Sequence, residues 1–229
     1  MPLIFNLTTF RELLTAALWT GLLAGLLLTA VQQIQVIPTL LQAEVYEEQA
    51  AVVATTENSH KYEAWQPENG WERTFFTAVA NIALGVGFAL LIGAIMCLRG
   101  RPDNWRMGLL WGLAGYTTFF VAPSLGLPPE VPGTTAAELT DRQSWWLITV
   151  LDTGFGLSLL AFAKTKTYRF FGAVLLVSPH LIGAPQPEVH GSAAPAELAQ
   201  SFIAATVFAN AVFWLALGGL MGQFYQKRS

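Results

Sequence analysis

Five side chains of this sequence could bind a metal ion. They are Glu44, Glu47, His60, Glu72 and His180. Carboxylate oxygens and imidazole nitrogens suit divalent first-row metals. Glu44 and Glu47 are three residues apart and share a face of the helix that we predict for residues 42–50. Because the only cysteine is Cys97, a thiolate cluster is excluded, and oxygen and nitrogen ligands remain.

Each of these candidates also has an interpretation without a metal. A charged loop is by default a solvated surface, and the acidic stretch 38–73 is such a loop. His180 follows Pro179, which breaks a helix and frees a carbonyl, as in irregular backbone that lines a cavity. A histidine at that boundary is either an interfacial side chain or a ligand.

Three polar residues lie inside long apolar segments at comparable depth: Asn81, Asp152 and Asn210. A carboxylate in hydrocarbon costs about 2.5–3.5 kcal/mol on insertion scales, so it usually faces a bundle interior or a cavity. Asp152 is therefore predicted to be a cation ligand or a proton carrier. The alternative is a packing role, with its carboxyl group hydrogen-bonded to Asn81 or Asn210.

The composition explains why these few polar groups stand out. Apolar residues make up 53% of the 229 residues and charged residues 12%, against roughly 25% charged in an ordinary soluble domain. This balance predicts an integral membrane protein that contacts the lipid bilayer. Because its apolar segments are mostly long enough for membrane helices, we predict an all-α, polytopic fold. A net charge of −3 without a basic tract excludes nucleic-acid binding. Because no G-x-S-x-G, P-loop or H-E-x-x-H motif is present, we expect neither an enzyme nor a permanently bound cofactor.

Six apolar segments are predicted to be membrane helices, since about 20 such residues cross a bilayer. They cover residues 10–37, 75–98, 107–123, 145–163, 170–182 and 202–224. The first lacks a preceding basic segment and a small-residue cleavage site, so we expect a retained helix and not a signal peptide. The fifth is short and contains Pro179, which is also compatible with a re-entrant or broken span.

The basic residues set the orientation of these six segments. With both termini in the cytoplasm, nine of the twelve lysines and arginines lie inside, as the positive-inside rule requires. Twelve of the fifteen acids and all three histidines then lie outside, where an acidic face concentrates cations. Acids carry little topological signal, so they also collect outside if the bases merely collect inside. Helix anchors at the membrane interface are predicted at Arg73, Arg142, Trp145 and Trp146.

A V-x-P-x-L motif recurs at the outer ends of the odd-numbered segments. It occupies residues 36–40, 121–125 and 177–181, and a Glu-Val pair follows each copy. The loops after the second and third copies, PEVPGTTA and PEVHGSAA, are also alike. We predict three parallel helical hairpins, at about 10–98, 106–163 and 169–225, within a single transmembrane domain 1–229. The alternative is that membrane helices share these residue types by composition alone.

Four stretches resemble the CbtA-type probable cobalt transporter subunit family. They are WQPENGWERTFFTAVANIALGVGFALLIGA at 65–94, LLWGLAGYTTFFVAPSLGLPPEVPG at 109–133, DRQSWW at 141–146 and SPHLIGAPQPE at 178–188. The resemblance covers nearly the whole chain. It implies bacterial cobalt uptake associated with cobalamin synthesis, a plasma (inner) membrane location, Co²⁺ as the transported ion and a small single-span CbtB-type partner subunit. Matching the family pattern are Glu44, Glu47, His60, Glu72, Arg73, Asn81, Arg142 and His180.

Two functions are therefore compatible with the sequence. The first is a divalent-cation permease subunit that gathers Co²⁺ on its acidic outer face and passes it through a midspan cluster of Asn81, Asp152 and Asn210. The second is a non-transporting membrane scaffold or sensor that binds a partner transmembrane helix through small-residue faces.

Overall fold

The computed structural model describes residues 7–54, 65, 67–102 and 104–226, excluding the side chains of residues 53 and 54. This part of the chain is helical. Its helices are α1 (Leu7–Val31), α2 (Ile37–Ala54), α3 (Trp71–Arg99), α4 (Trp105–Tyr116), α5 (Ala122–Ser124), α6 (Leu139–Phe162), α7 (Lys166–Ile182) and α8 (Ala196–Phe224). The described residues form no strand beyond one isolated bridge between Thr134 and Ser192. The predicted all-α class is confirmed, and so is the helix over residues 42–50, which lies in α2.

Two five-residue π-helical turns interrupt the helices, each just before a proline. Gln32–Val36 joins α1 to α2 ahead of Pro38, and Thr117–Val121 joins α4 to α5 ahead of Pro123. Because proline has no N–H, the carbonyl four residues earlier lacks its usual helical donor, and a local π turn accommodates that loss. Both turns end at the valine of a V-x-P-x-L motif. In the third copy, at 177–181, α7 stays α-helical.

Four helical runs in the described chain are long and apolar enough to cross a membrane. They are Leu7–Val52, Trp71–Arg99, Leu139–Phe162 and Ala196–Phe224. The predicted third and fifth spans are also helical, but neither is among these four: the fifth, α7, has 17 residues. The chain is therefore a multi-pass membrane protein by length and composition. Six crossings, three pseudo-repeats and cytoplasmic termini remain predictions.

The chain forms two compact units. Among the described residues, the first contains 7–35, 65–115 and 208–226, and the second contains 36–54 and 116–207. Three helical runs, 7–54, 105–124 and 196–224, each contribute residues to both units.

Close approaches between glycines hold the helices of the first unit together. α1 packs on α3, and a methyl group added at Gly85 would lie 2.8 Å from the carbonyl oxygen of Gly21. Gly108 of α4 likewise lies against Gly218 of α8, where no Cβ would fit. Small residues let helix backbones approach closely, and van der Waals packing rather than hydrophobic burial then drives association within a membrane.

The second unit is built around α6 and α7. Gly156 of α6 and Gly172 of α7 face each other, and a Cβ at either would lie within 2.9 Å of the other's carbonyl oxygen. Beyond these helices, a small apolar core joins α2 to two loops through Ala43, Val131 and Ala194. The unit therefore has a tight helical pair and a separate contact that fixes its loops.

The two loops of the second unit pair through residues that the sequence places at equivalent positions. Thr134 and Ser192 form the isolated antiparallel bridge. Thr135 N donates to Gly191 O at 2.9 Å, and Ala193 N donates to Gly133 O at 3.1 Å. In PEVPGTTA and PEVHGSAA these are the same three positions, so each loop bonds to its own counterpart.

Candidate functional site

Asn81 is the centre of a polar cluster in the first unit. It lies buried on α3 and donates from Nδ2 to Thr29 Oγ1 at 3.0 Å and to Gln32 Oε1 at 2.7 Å. Gln32 is the first residue of the π turn, and the next residue, Gln33, donates to Thr74 Oγ1 at 3.1 Å. The π turn thus places two amide side chains against α3, where they satisfy a polar group inside an apolar helix.

Asp152 has a different partner, in the second unit. It is half-buried on α6, and its Oδ2 lies 3.0 Å from Ser178 Oγ of α7. Ser178 Oγ also lies 3.1 Å from the carbonyl oxygen of Leu175. Within the described residues Asp152 makes no ion pair. The carboxyl group of the predicted midspan acid is therefore held by one neutral hydroxyl group.

The aromatic and proline side chains next to this contact fix α7 against α6. Trp145 is 6% exposed and donates from Nε1 to the carbonyl oxygen of Pro179 at 3.3 Å. The ring of His180 stands edge-on to that of Trp145, with 6.1 Å between centroids. Trp145 is thus enclosed in the unit, which differs from the outward position expected of an aromatic-belt residue, whereas Trp146 is 38% exposed.

The structure describes four of the five predicted metal ligands; His60 lies outside the described residues. Glu44 is half-buried and Glu47 exposed, both on α2, and His180 is half-buried on α7. Glu72 Oε2 accepts a hydrogen bond from Glu68 N at 2.9 Å at the start of α3. In the part of the chain with described side chains, no three His, Cys, Asp or Glu residues are grouped as a metal site. A metal site that includes His60 stays a prediction.

The predicted arginine anchors hold the beginnings of two helices. Arg73 donates from Nη1 to Asn69 Oδ1 at 2.6 Å, beside the first turn of α3. Arg142, in the first turn of α6, forms an ion pair with Glu130 at 2.9 Å, and both side chains are about a third exposed. Pairs of that exposure contribute at most about 1 kcal/mol, so they orient the helix starts more than they stabilise them.

A charged cluster in the first unit was not predicted. Arg101 forms an ion pair with Glu12 and lies over the ring of Tyr225, 4.6 Å from its centroid. Burial raises the pKa of Tyr225 to about 12, with a further contribution from Cys97. Glu12, Arg101 and Tyr225 border a cavity of about 440 Å³ that Trp19 also lines. The sequence contained one indication of this cluster: Glu12 is one of only two acids on the predicted inner side, which is otherwise basic.

Ser178 is the main residue that sequence reasoning missed. It occupies the variable position of the third V-x-P-x-L motif, where the first two copies carry Ile37 and Ala122. The sequence feature that could have identified Ser178 is its hydroxyl group directly before a proline, at a position that is apolar in the other two copies. Gln32 was missed because its position in a π turn depends on Pro38 six residues later.

These features define a multi-pass helical membrane protein that keeps polar side chains hydrogen-bonded within its apolar helices. A comparison with protein families matches residues 10–226 to CbtA, described as "Probable cobalt transporter subunit". Since the match covers nearly the whole chain, the chain belongs to the CbtA family, as its sequence resemblance predicted. A subunit implies partner subunits, and the family description is that of a transporter and not of an enzyme. No curated protein and no solved structure matches the chain.

Proposed function

We propose that this chain is the membrane-embedded subunit of a divalent-metal uptake system, with Co²⁺ as its cargo, in the bacterial inner membrane. Both termini face the cytoplasm. The acidic outer face gathers the cation, and Asn81, Asp152 and Asn210 carry it through the midspan region. A small single-span subunit of the CbtB type is the proposed partner.

The environment of Asp152 is the observation that carries this proposal. An acid within a membrane helix costs free energy unless it is paired, and such residues mark ion and proton paths. Asp152 has Ser178 as its hydrogen-bond partner and no cationic side chain paired with it among the described residues. The carboxylate of Asp152 therefore has lone pairs left with which to bind a cation. His180, two residues beyond Ser178, is the nearest imidazole in sequence to this contact.

The proposed repeat is supported by two structural coincidences. The π turns end at the same motif position, Val36 and Val121, in the first two copies. The paired loops of the second unit bond through the equivalent residues Thr134 and Ser192. The shared proline position accounts for the π turns with or without a duplication, but it gives no reason for the pairing of equivalent loop residues, which a duplicated helical hairpin explains.

Metal uptake by cells tests the proposed path. We expect Asp152→Asn to lower cobalt accumulation at least about tenfold, because the amide keeps the shape of the acid but loses its charge. We expect His180→Ala to lower accumulation by a smaller factor. Asp141→Asn, an exposed acid at the start of the same helix, is the matched control and retains uptake.

Cobalt accumulation is measured in cells with equal membrane levels of each variant. Wild-type accumulation by both Asp152→Asn and His180→Ala would rule out this path. If, in addition, deletion of the whole chain left accumulation unchanged, the scaffold or sensor function would replace the transport function.

A further inference from the structure

A cavity of about 440 Å³ lies at one end of the first unit, where the start of α1, the residues just beyond α3 and the end of α8 meet. Its volume is in the range of small-molecule sites, about 300–1,000 Å³. α1 supplies most of the wall through six residues that follow one face of that helix: Thr8, Arg11, Glu12, Thr15, Ala16 and Trp19. None of the lining residues belongs to the proposed ion path.

Two arginines and one glutamate give this cavity a single net positive charge. Arg101 and Glu12 form an ion pair, and each side chain is about a third exposed. Arg101 is also held over the ring of Tyr225. Arg11 is exposed, and within the described residues no carboxylate pairs with it. Because a guanidinium group binds phosphate through parallel N–H bonds, Arg11 is available to an anionic group from outside the chain.

The cavity changes from charged to apolar along α1. Arg11 lies eight residues before Trp19, a separation of about 12 Å along a helix that rises about 1.5 Å per residue. Trp19 is 56% exposed, although it belongs to a helical run that is long and apolar enough to cross a membrane. Its ring therefore offers apolar surface on the membrane side of the charged groups. A phospholipid has the same order, with its phosphate at the membrane surface and its acyl chains below.

We propose that this cavity binds one anionic phospholipid whose phosphate carries a single negative charge. Arg11 donates to the phosphate oxygens from α1, Arg101 faces them from the residues beyond α3, and Trp19 packs against an acyl chain. The site depends neither on the transport function nor on a partner subunit. Only its assignment to the cytoplasmic leaflet rests on the proposed orientation of the chain.

Charge and shape favour such a lipid over two other sources of a phosphate group. Inorganic phosphate has no apolar part and would leave the surface of Trp19 without a contact. A zwitterionic phospholipid has an apolar part but no net charge, so it gains less from a cavity that is positive overall. Basic pockets between membrane helices on the cytoplasmic side bind anionic lipid head groups in other proteins for the same reason.

Native mass spectrometry of the purified full-length chain in a non-ionic detergent tests this selectivity. The chain is titrated with dioleoyl phosphatidylglycerol or with dioleoyl phosphatidylcholine. We expect one phosphatidylglycerol per chain, bound at least about fivefold more tightly than phosphatidylcholine. Equal binding of the two lipids would overturn the proposal. Tight binding of radiolabelled inorganic phosphate by the lipid-free chain in equilibrium dialysis would also overturn it, because the site would then be one for free phosphate.

Matched variants locate the lipid in the cavity. We expect Arg11→Gln to weaken phosphatidylglycerol binding about fivefold. Arg106→Gln, which removes an exposed arginine outside the cavity on the same predicted inner side, should bind as the wild type does. Equal weakening by both variants would indicate general attraction to basic residues and would contradict a site at Arg11.

A second pair of variants tests the acyl-chain contact. Trp19→Ala should weaken binding of phosphatidylglycerol, whereas Leu18→Ala, at an exposed neighbour that does not line the cavity, should not. Thermal unfolding of each variant establishes that it is folded. Unchanged binding by folded Trp19→Ala would show that the lipid does not extend along α1, and the proposed site would be wrong.

Discussion

Asp152 and Asn81 stand at matching depths in the sequence pattern, and the structure satisfies them in different ways. Asn81 has two partners on the helical run 7–54, through Thr29 and Gln32. Asp152 has one, through Ser178. The location of both residues within long apolar helices could be predicted from hydropathy. Their partners could not, since Ser178 is 26 residues from Asp152 and the contact depends on how α7 is rotated about its axis.

The raised pKa of Tyr225 predicts a loss of stability at high pH. Burial favours the neutral phenol in the folded chain, where its pKa is about 12, over the ordinary value of 10.0. The folded state thus binds more protons between these values, so this contribution is complete below pH 10 and is lost as pH rises toward 12. We expect the unfolding temperature to fall over that range, and to fall less in Tyr225→Phe.

Thermal unfolding in nanodiscs from pH 8 to pH 12 measures this effect. Tyr46→Phe is the control, because Tyr46 is exposed on α2 and its loss should leave the wild-type pH dependence intact. Equal pH dependence of the wild type and Tyr225→Phe would show that the pKa of the Tyr225 phenol is the same in the folded and unfolded states.

At the scale of helices, glycine and proline determine the local structure. The prolines of the first two V-x-P-x-L motifs follow π turns. The first of these turns directs Gln32 and Gln33 toward α3. The proline positions were visible in the sequence, but the π turns were not, since a proline can also be accommodated by a kink or a capped carbonyl, as in α7. Of the two neighbouring glycines Gly85 and Gly87 in α3, only Gly85 lies in a close contact between helices.

Gly85 and Gly87 provide a matched test of that packing. A methyl group at Gly85 would lie 2.8 Å from the backbone oxygen of Gly21, whereas one at Gly87 would meet nothing within 4 Å. We expect Gly85→Ala to destabilise the protein by about 1–3 kcal/mol, the range for an overpacked contact. We expect Gly87→Ala to be neutral or stabilising by up to about 1 kcal/mol, because alanine favours the helix.

Denaturant unfolding of both variants in the same detergent gives the comparison. Equal stability of Gly85→Ala and Gly87→Ala would contradict the close contact between α1 and α3.

Over the whole molecule, charge is scarce and unevenly distributed. That scarcity predicted the membrane class, because 12% charged residues cannot cover a soluble protein of 229 residues. The length of the apolar segments predicted the all-α fold. Four of the six predicted spans correspond to long apolar helices. The division into two units was not predicted, since helices such as α8 contribute to both and hydropathy gives no tertiary contacts. Among the residues with described side chains, no three His, Cys, Asp or Glu residues are grouped as a metal site. The sequence could not predict this outcome, because residue type and spacing do not give distances between distant segments.

The most direct test of the account is Co²⁺ flux into proteoliposomes that contain the chain together with its single-span partner subunit. The account predicts Co²⁺ accumulation with the wild-type chain and loss of most of it with Asp152→Asn, while Asp141→Asn remains at the wild-type rate. Equal flux through the wild type and Asp152→Asn, or no flux from any of them, would contradict it.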